Sequence, residues 1–121
     1  GESVGTLFWA GHDKIKKRKH WIAYTLKPCG KVTVDLGAGK AILARGKSLL
    51  PAGIIKVEGK FEFGNTVRVI DVTGTEIARG LVNYSFRDLK RIMGMKTGAV
   101  RKIFGESFYK EVIHRDDLVV L

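Results

Sequence analysis

The stretch from Asp35 to Gly53, DLGAGKAILARGKSLLPAG, constrains this chain more than any other. Asp35 can accept a hydrogen bond from the free N–H groups at the start of a helix. Ala38 to Arg45 are good helix formers, and Ala38, Ala41, Ile42 and Arg45 fall at helical spacing, so the apolar members share a face. Gly46 stands where helices commonly stop in the left-handed conformation. Lys47 to Gly53 is then a short loop between two glycines, carrying Pro51 and headed by a cation and a hydroxyl. A strand-like run, Ile54 to Phe63, follows. Helix, loop and strand make a rigid platform that presents a basic loop, suited to holding an anion and without an obvious catalytic group. Leu49 and Leu50 lie between the helix stop and Pro51, so at least one turns inward as an anchor. The expectation is a cavity on Leu50→Ala and a solvent-facing Lys47.

At 121 residues the chain fits one domain that buries about two-thirds of its unfolded surface. A hydrophobic fraction of 45% and three strand-rich stretches argue for a packed core and against disorder. The formal net charge of +10 is unevenly placed. Residues 1–60 hold 12 Lys/Arg against 4 Asp/Glu, and residues 61–121 hold 10 against 8. A basic half points to nucleic acid, phosphates or an acidic protein surface; it is equally a common route to solubility. Cys29 is the single cysteine, which excludes an internal disulfide and any CxxC site. No apolar run approaches the roughly 20 residues of a membrane span, and no signal-peptide pattern opens the sequence, so the expected compartment is the cytoplasm, without a membrane partner.

Gly1 to Trp9 ends in an apolar GTLFW and reads as the tail of a linker. The basic run Lys14-Ile15-Lys16-Lys17-Arg18-Lys19-His20 closes on Trp21. Basic residues beside an aromatic suit phosphate binding with base stacking; the alternative is a solvated helical turn whose Ile15 and Trp21 pack inward. Trp21 to Tyr24 reads as a strand, Lys27 to Gly30 as a turn, and Lys31 to Asp35 alternates toward the helix. Phe61 and Phe63 are expected on one face of the strand after the loop. Val67 to Asp71 and Glu76 to Tyr84 form a hairpin closed at Thr73-Gly74, with Gly80 expected at a bulge or sharp bend. Ser85 to Asp88 is a capping box opening a helix that ends near Gly94, and Thr97 is expected to cap a second, stopped by Gly105. Val112 to Leu121 is expected as a closing strand that contains His114-Arg115-Asp116-Asp117. The pattern is mainly β with short helices, a compact barrel-like domain.

Sequence motifs for catalysis fail on their own spacing. Gly46-Lys47-Ser48 mimics a nucleotide-binding P-loop, but the required earlier glycine is Ala41 and the helix precedes the loop. Gly37-Ala38-Gly39 lacks the third glycine of a dinucleotide fingerprint, that position being Ile42. His114-Arg115-Asp116 mimics a kinase catalytic loop whose Asn would fall at Leu121. His12, His20 and His114 have no metal spacing to one another or to Cys29. No catalytic or metal-ligating residue is assigned.

The segments VDLGAGKAILARGKSLLPAGIIKVEGKFEFGNTVRV, GTEIARGLVNYS and VIHRDDLVVL closely resemble the PUA domain at the C-terminus of bacterial glutamate 5-kinases. GTLF, the basic run and Trp21-Ile22 resemble the junction between kinase and PUA domains, so residues 1–20 are expected as linker and 21–121 as the PUA domain. The resemblance implies a mixed-sheet pseudo-barrel. It implies a parent enzyme, expected to be a homo-oligomer, that phosphorylates glutamate with ATP and magnesium in the first step of proline synthesis. The domain holding those cofactors lies outside this chain and is the expected partner of this one. RNA is the other implied partner, since PUA folds bind it through the helix, the following loop and the last strand. Carried over by position, the candidates are Lys40, Arg45, Gly46, Lys47, Ser48, Leu49, Leu50, Pro51, His114 and Arg115. Lys16, Lys17, Arg18 and Lys19 form a second, heavier basic patch than the family leads one to expect. Two roles follow, an accessory module acting on the kinase domain's oligomerisation or proline feedback, and a genuine RNA-binding module.

Overall fold

A computed structural model describes residues 10–24 and 26–121, which leaves the GTLFW arrival outside the described part. Its frame is one five-stranded sheet in the order β2-β1-β3-β4-β5. The strands are β1 Gly30–Val34, β2 Ile54–Gly59, β3 Thr66–Ile70, β4 Glu76–Leu81 and β5 Leu118–Val120. β1 and β3 run parallel and the other neighbours antiparallel, so the sheet is mixed. Among the described residues four helices flank it, α1 Ala10–Tyr24, α2 Leu36–Arg45, α3 Phe86–Ile92 and α4 Thr97–Phe104, with short 3-10 turns at Pro51–Gly53 and Arg115–Asp117. The expected mixed sheet with several short helices holds.

Alternation in β1 and β3 sends Val32, Val34, Val67 and Val69 into the core, where they meet Ile42 of α2, Leu89 and Ile92 of α3, and Val100 of α4. Asp35 caps α2, its carboxylate accepting from Ala38 N at 2.7 Å. Gly46 ends the helix at φ +60°, a conformation that only glycine adopts without steric cost. In the β3–β4 turn, bonds led by the Thr73 hydroxyl hold the Asp71 carboxyl below its usual range.

Several expectations are corrected. Trp21 to Tyr24 is not a strand but the last turn of α1. The Lys/Arg-rich residues before it are strong helix formers, and docking of Ile22 and Ala23 on the body outweighs the strand preference of Trp-Ile-Ala-Tyr. Ile15 and Trp21, expected inside, keep 37% and 49% of their surface in water. The strand after the loop stops at Gly59; Phe61 turns into the core while Phe63 stays outside, so the two do not share a strand face.

Gly80 marks a close approach instead of a bulge. A Cβ there would lie 2.5 Å from Ile113 Cγ2 and 2.8 Å from Asp117 O, while the register shift of this pair lies between Val69 and Ile70. Ser85 caps α3 as expected, accepting from Asp88 N. For α4 the cap position is Lys96, with Thr97 the first helical residue. The closing strand is broken, because His114 Nδ1 accepts from Asp116 N at 3.1 Å and winds Arg115–Asp117 into a turn before β5.

The loop anchor is Leu49, not Leu50. Leu49 is 1% exposed against 37% for Leu50, and its N–H donates to Ile113 O at 2.9 Å while Val112 N donates back to Leu49 O at 2.7 Å. Leu49→Ala should therefore cost about 2–5 kcal/mol through cavity formation, and Leu50→Ala clearly less. Urea melts of the two variants check this; a larger loss in Leu50→Ala would reverse the assignment.

Candidate nucleic-acid interface

The loop after α2 lies beside the C-terminal segment, and between them runs an open groove of about 790 Å³. Arg45, Lys47, Ser48 and Leu50 line one side, and Lys110, Glu111, His114 and Arg115 the other. Ser48 fastens the two sides, its hydroxyl accepting from Arg115 N at 2.7 Å. The Asp35 N–H donates to Gly53 O at 2.9 Å, which closes the loop back onto the start of α2.

Charge at the groove is distributed unlike charge elsewhere. Of the eight arginines, six lie within 4 Å of a carboxylate: Arg18, Arg68, Arg79, Arg87, Arg91 and Arg101. The other two, Arg45 and Arg115, both line the groove and meet no carboxylate among the described residues. Lys47 and Lys110 lie in the same cleft, so four cations outnumber the two carboxylates that line it, Asp35 and Glu111.

The candidate residues separate into distinct positions. Arg45, Lys47, Ser48, Leu50, His114 and Arg115 come together at the groove. Lys40 is exposed on α2 away from it. Leu49 and Pro51 are buried and hold the loop, which withdraws their side chains from contact with a ligand. Gly46 acts through the backbone. Its N–H donates to Ile42 O and the Lys47 N–H to Ala41 O, so these two donors close the helix and cannot cradle a phosphate. That arrangement does not fit a nucleotide-binding loop. Lys16, Lys17, Arg18 and Lys19 lie on α1.

Lys110 and Glu111 escaped the sequence reading, and no local pattern marks them. Tertiary bonds deliver them: the Tyr84 hydroxyl donates to Tyr109 O, Asn83 Nδ2 to Glu111 O at 3.1 Å, and Asn83 N to Val112 O at 2.8 Å. Burial pushes the Tyr84 phenol above its ordinary pKa, opposed by its bond to Tyr109, so it stays a donor at neutral pH.

Among the described residues no three His, Cys, Asp or Glu side chains gather to hold a metal, and no helix is long and apolar enough to cross a membrane. The described residues thus combine a mixed sheet with a basic groove between the loop after α2 and the C-terminal segment. The chain belongs to the PUA domain family, whose model matches residues 30–104. It is 53% identical over 121 residues to a glutamate 5-kinase of Geobacter sulfurreducens and 49% identical over 120 residues to one of Dictyoglomus thermophilum. Those matches take in 100% and 99% of this chain but 32% of each relative, so the chain spans about a third of their length. A crystal structure of a PUA domain from Aeropyrum pernix K1, a tartrate complex, superposes with a TM-score of 0.53 at 27% identity, covering 72% of this chain and 43% of that one.

The Ser48 bond is the groove's testable joint. Ser48→Ala should lower stability by about 0.5–1.5 kcal/mol and leave Arg115 less firmly placed. Chemical denaturation measures it; a variant that unfolds like the parent would mean that water replaces the hydroxyl at Arg115 N.

Proposed function

We propose that this chain is the non-catalytic PUA domain of a glutamate 5-kinase. The observation that carries this is the 49–53% identity, across essentially the whole chain, to proteins of that name. On this reading ATP, magnesium and glutamate belong to the remaining two-thirds of such an enzyme, in the cytoplasm. The domain then serves as an accessory module on its own kinase domain, acting on oligomerisation or on proline feedback in the first step of proline synthesis. The closed-off donors at Gly46 and Lys47 support a domain without a nucleotide site of its own. Calorimetry of the chain with ATP and magnesium should show no saturable heat, and micromolar saturable binding would overturn the non-catalytic assignment.

A second reading is favoured by a specific observation, the two arginines that flank one groove and meet no carboxylate among the described residues. In this reading the groove binds structured RNA through its phosphates. Arginine forks and lysine ammonium groups suit phosphate oxygens, whereas few side chains here can read base edges. Affinity should fall with salt at a slope of roughly −0.7 to −0.9 per phosphate neutralised. Lys47→Ala with Arg115→Ala should flatten that slope by about that amount for each cation removed. Fluorescence anisotropy with an RNA hairpin over a salt series measures it. Binding indifferent to salt would rule this mode out.

A further inference from the structure

The basic run on α1 is left unused by the groove alone, yet the fold sets it against the same residues. Arg18 Nη1 donates to Asp117 Oδ1 at 2.8 Å, which straps α1 to the turn that carries Arg115. Ile22 and Ala23 fix the helix from below by packing toward the sheet. Lys19 then lines a smaller hollow together with Gly46, Lys47 and Arg115. Lys47 and Arg115 also line the larger groove, so the two depressions adjoin through these cations. Lys16 stands one helical turn before Lys19 on the same flank.

We propose that Lys16 and Lys19 of α1 extend the phosphate-binding surface, so that its partner is an RNA backbone several nucleotides long and not a lone phosphate or a mononucleotide. The inference rests on the RNA reading of the groove. Three residues of helix advance about 4.5 Å along the axis, so the two ammonium groups can be held on one flank a short reach apart. Two lysines on long flexible stems at this spacing can follow successive phosphates, and Lys47 and Arg115 continue the path. Arg18, already bound to Asp117, positions the helix.

The test is a salt series with an RNA hairpin and the full chain, comparing the parent with two charge-matched double variants. Lys16→Gln/Lys19→Gln removes the flank facing the hollow. Lys60→Gln/Lys102→Gln removes the same charge from exposed positions that line neither depression, and Arg18 stays in both so that the strap is kept. The first variant should reduce the salt slope by about 1.4–1.8, twice the per-phosphate value, and the second should leave it near the parent's. Equal effects of the two variants would mean general attraction by net charge and would overturn the proposal. So would a parental slope in Lys16→Gln/Lys19→Gln while Lys47→Ala/Arg115→Ala still lowers it, an outcome that leaves the groove reading intact. Absence of hairpin binding by the parent would remove the groove reading and this extension together.

Discussion

The reciprocal backbone pairing between Leu49 and the Val112–Ile113 segment is the contact on which the candidate site depends. It lies outside the main sheet and joins residues more than sixty positions apart. Burial of both side chains, Leu49 at 1% and Ile113 at 0%, shields the paired groups from water and makes the joint part of the core. Everything exposed on either side inherits its position from this joint. Lys47 and Ser48 precede Leu49 directly, and His114 and Arg115 follow Ile113 directly. Gly80 lets the segment in, since any larger residue would collide with Ile113 and with the Asp117 carbonyl.

Electrostatics separates the site from the rest of the surface more sharply than net charge does. A charge of +10 on 121 residues would describe many soluble basic domains. What distinguishes this one is where the carboxylates stand. Glu58, Glu62, Glu76, Asp88, Glu106 and Asp117 each lie beside a lysine or arginine and do not line the groove, whereas Asp35 and Glu111 line it beside four cations. Exposed pairs of this kind add little stability, but they cancel field. Arg45 and Arg115, at the cleft, meet no carboxylate within ion-pair distance among the described residues. The Arg18–Asp117 pair has a second consequence, because it holds α1 against the loop and brings Lys19 to the same cations.

Much of the frame was legible from local chemistry. Asp35 as a helix cap, Gly46 as a left-handed stop, Ser85 as a cap and the alternation of Val32 with Val34 are decided by neighbours a few residues away. Two causes account for the misreadings, a distant contact that outweighs local preference and a local side-chain bond that hydrophobic pattern does not show. Trp21 to Tyr24 favours a strand by composition, yet it continues a helix because Ile22 and Ala23 find the body of the domain from that conformation. His114 ends a strand that hydrophobic pattern alone would carry to Leu121, since its ring offers Asp116 N a local partner.

The sequence by itself determined the family, the helix–loop–strand order and the basic character of the loop, because these depend on short-range propensities and on residue identity. Tertiary structure alone decided that Leu49 and not Leu50 faces the core, since two adjacent leucines in a loop are equivalent until something packs against one of them. It alone delivered Lys110 and Glu111, through bonds from Asn83 and Tyr84 that no spacing announces. It alone also left Arg45 and Arg115 without carboxylate partners among the described residues. Charge pairing is a property of positions in space, and a chain written in order carries no record of which side chains will meet.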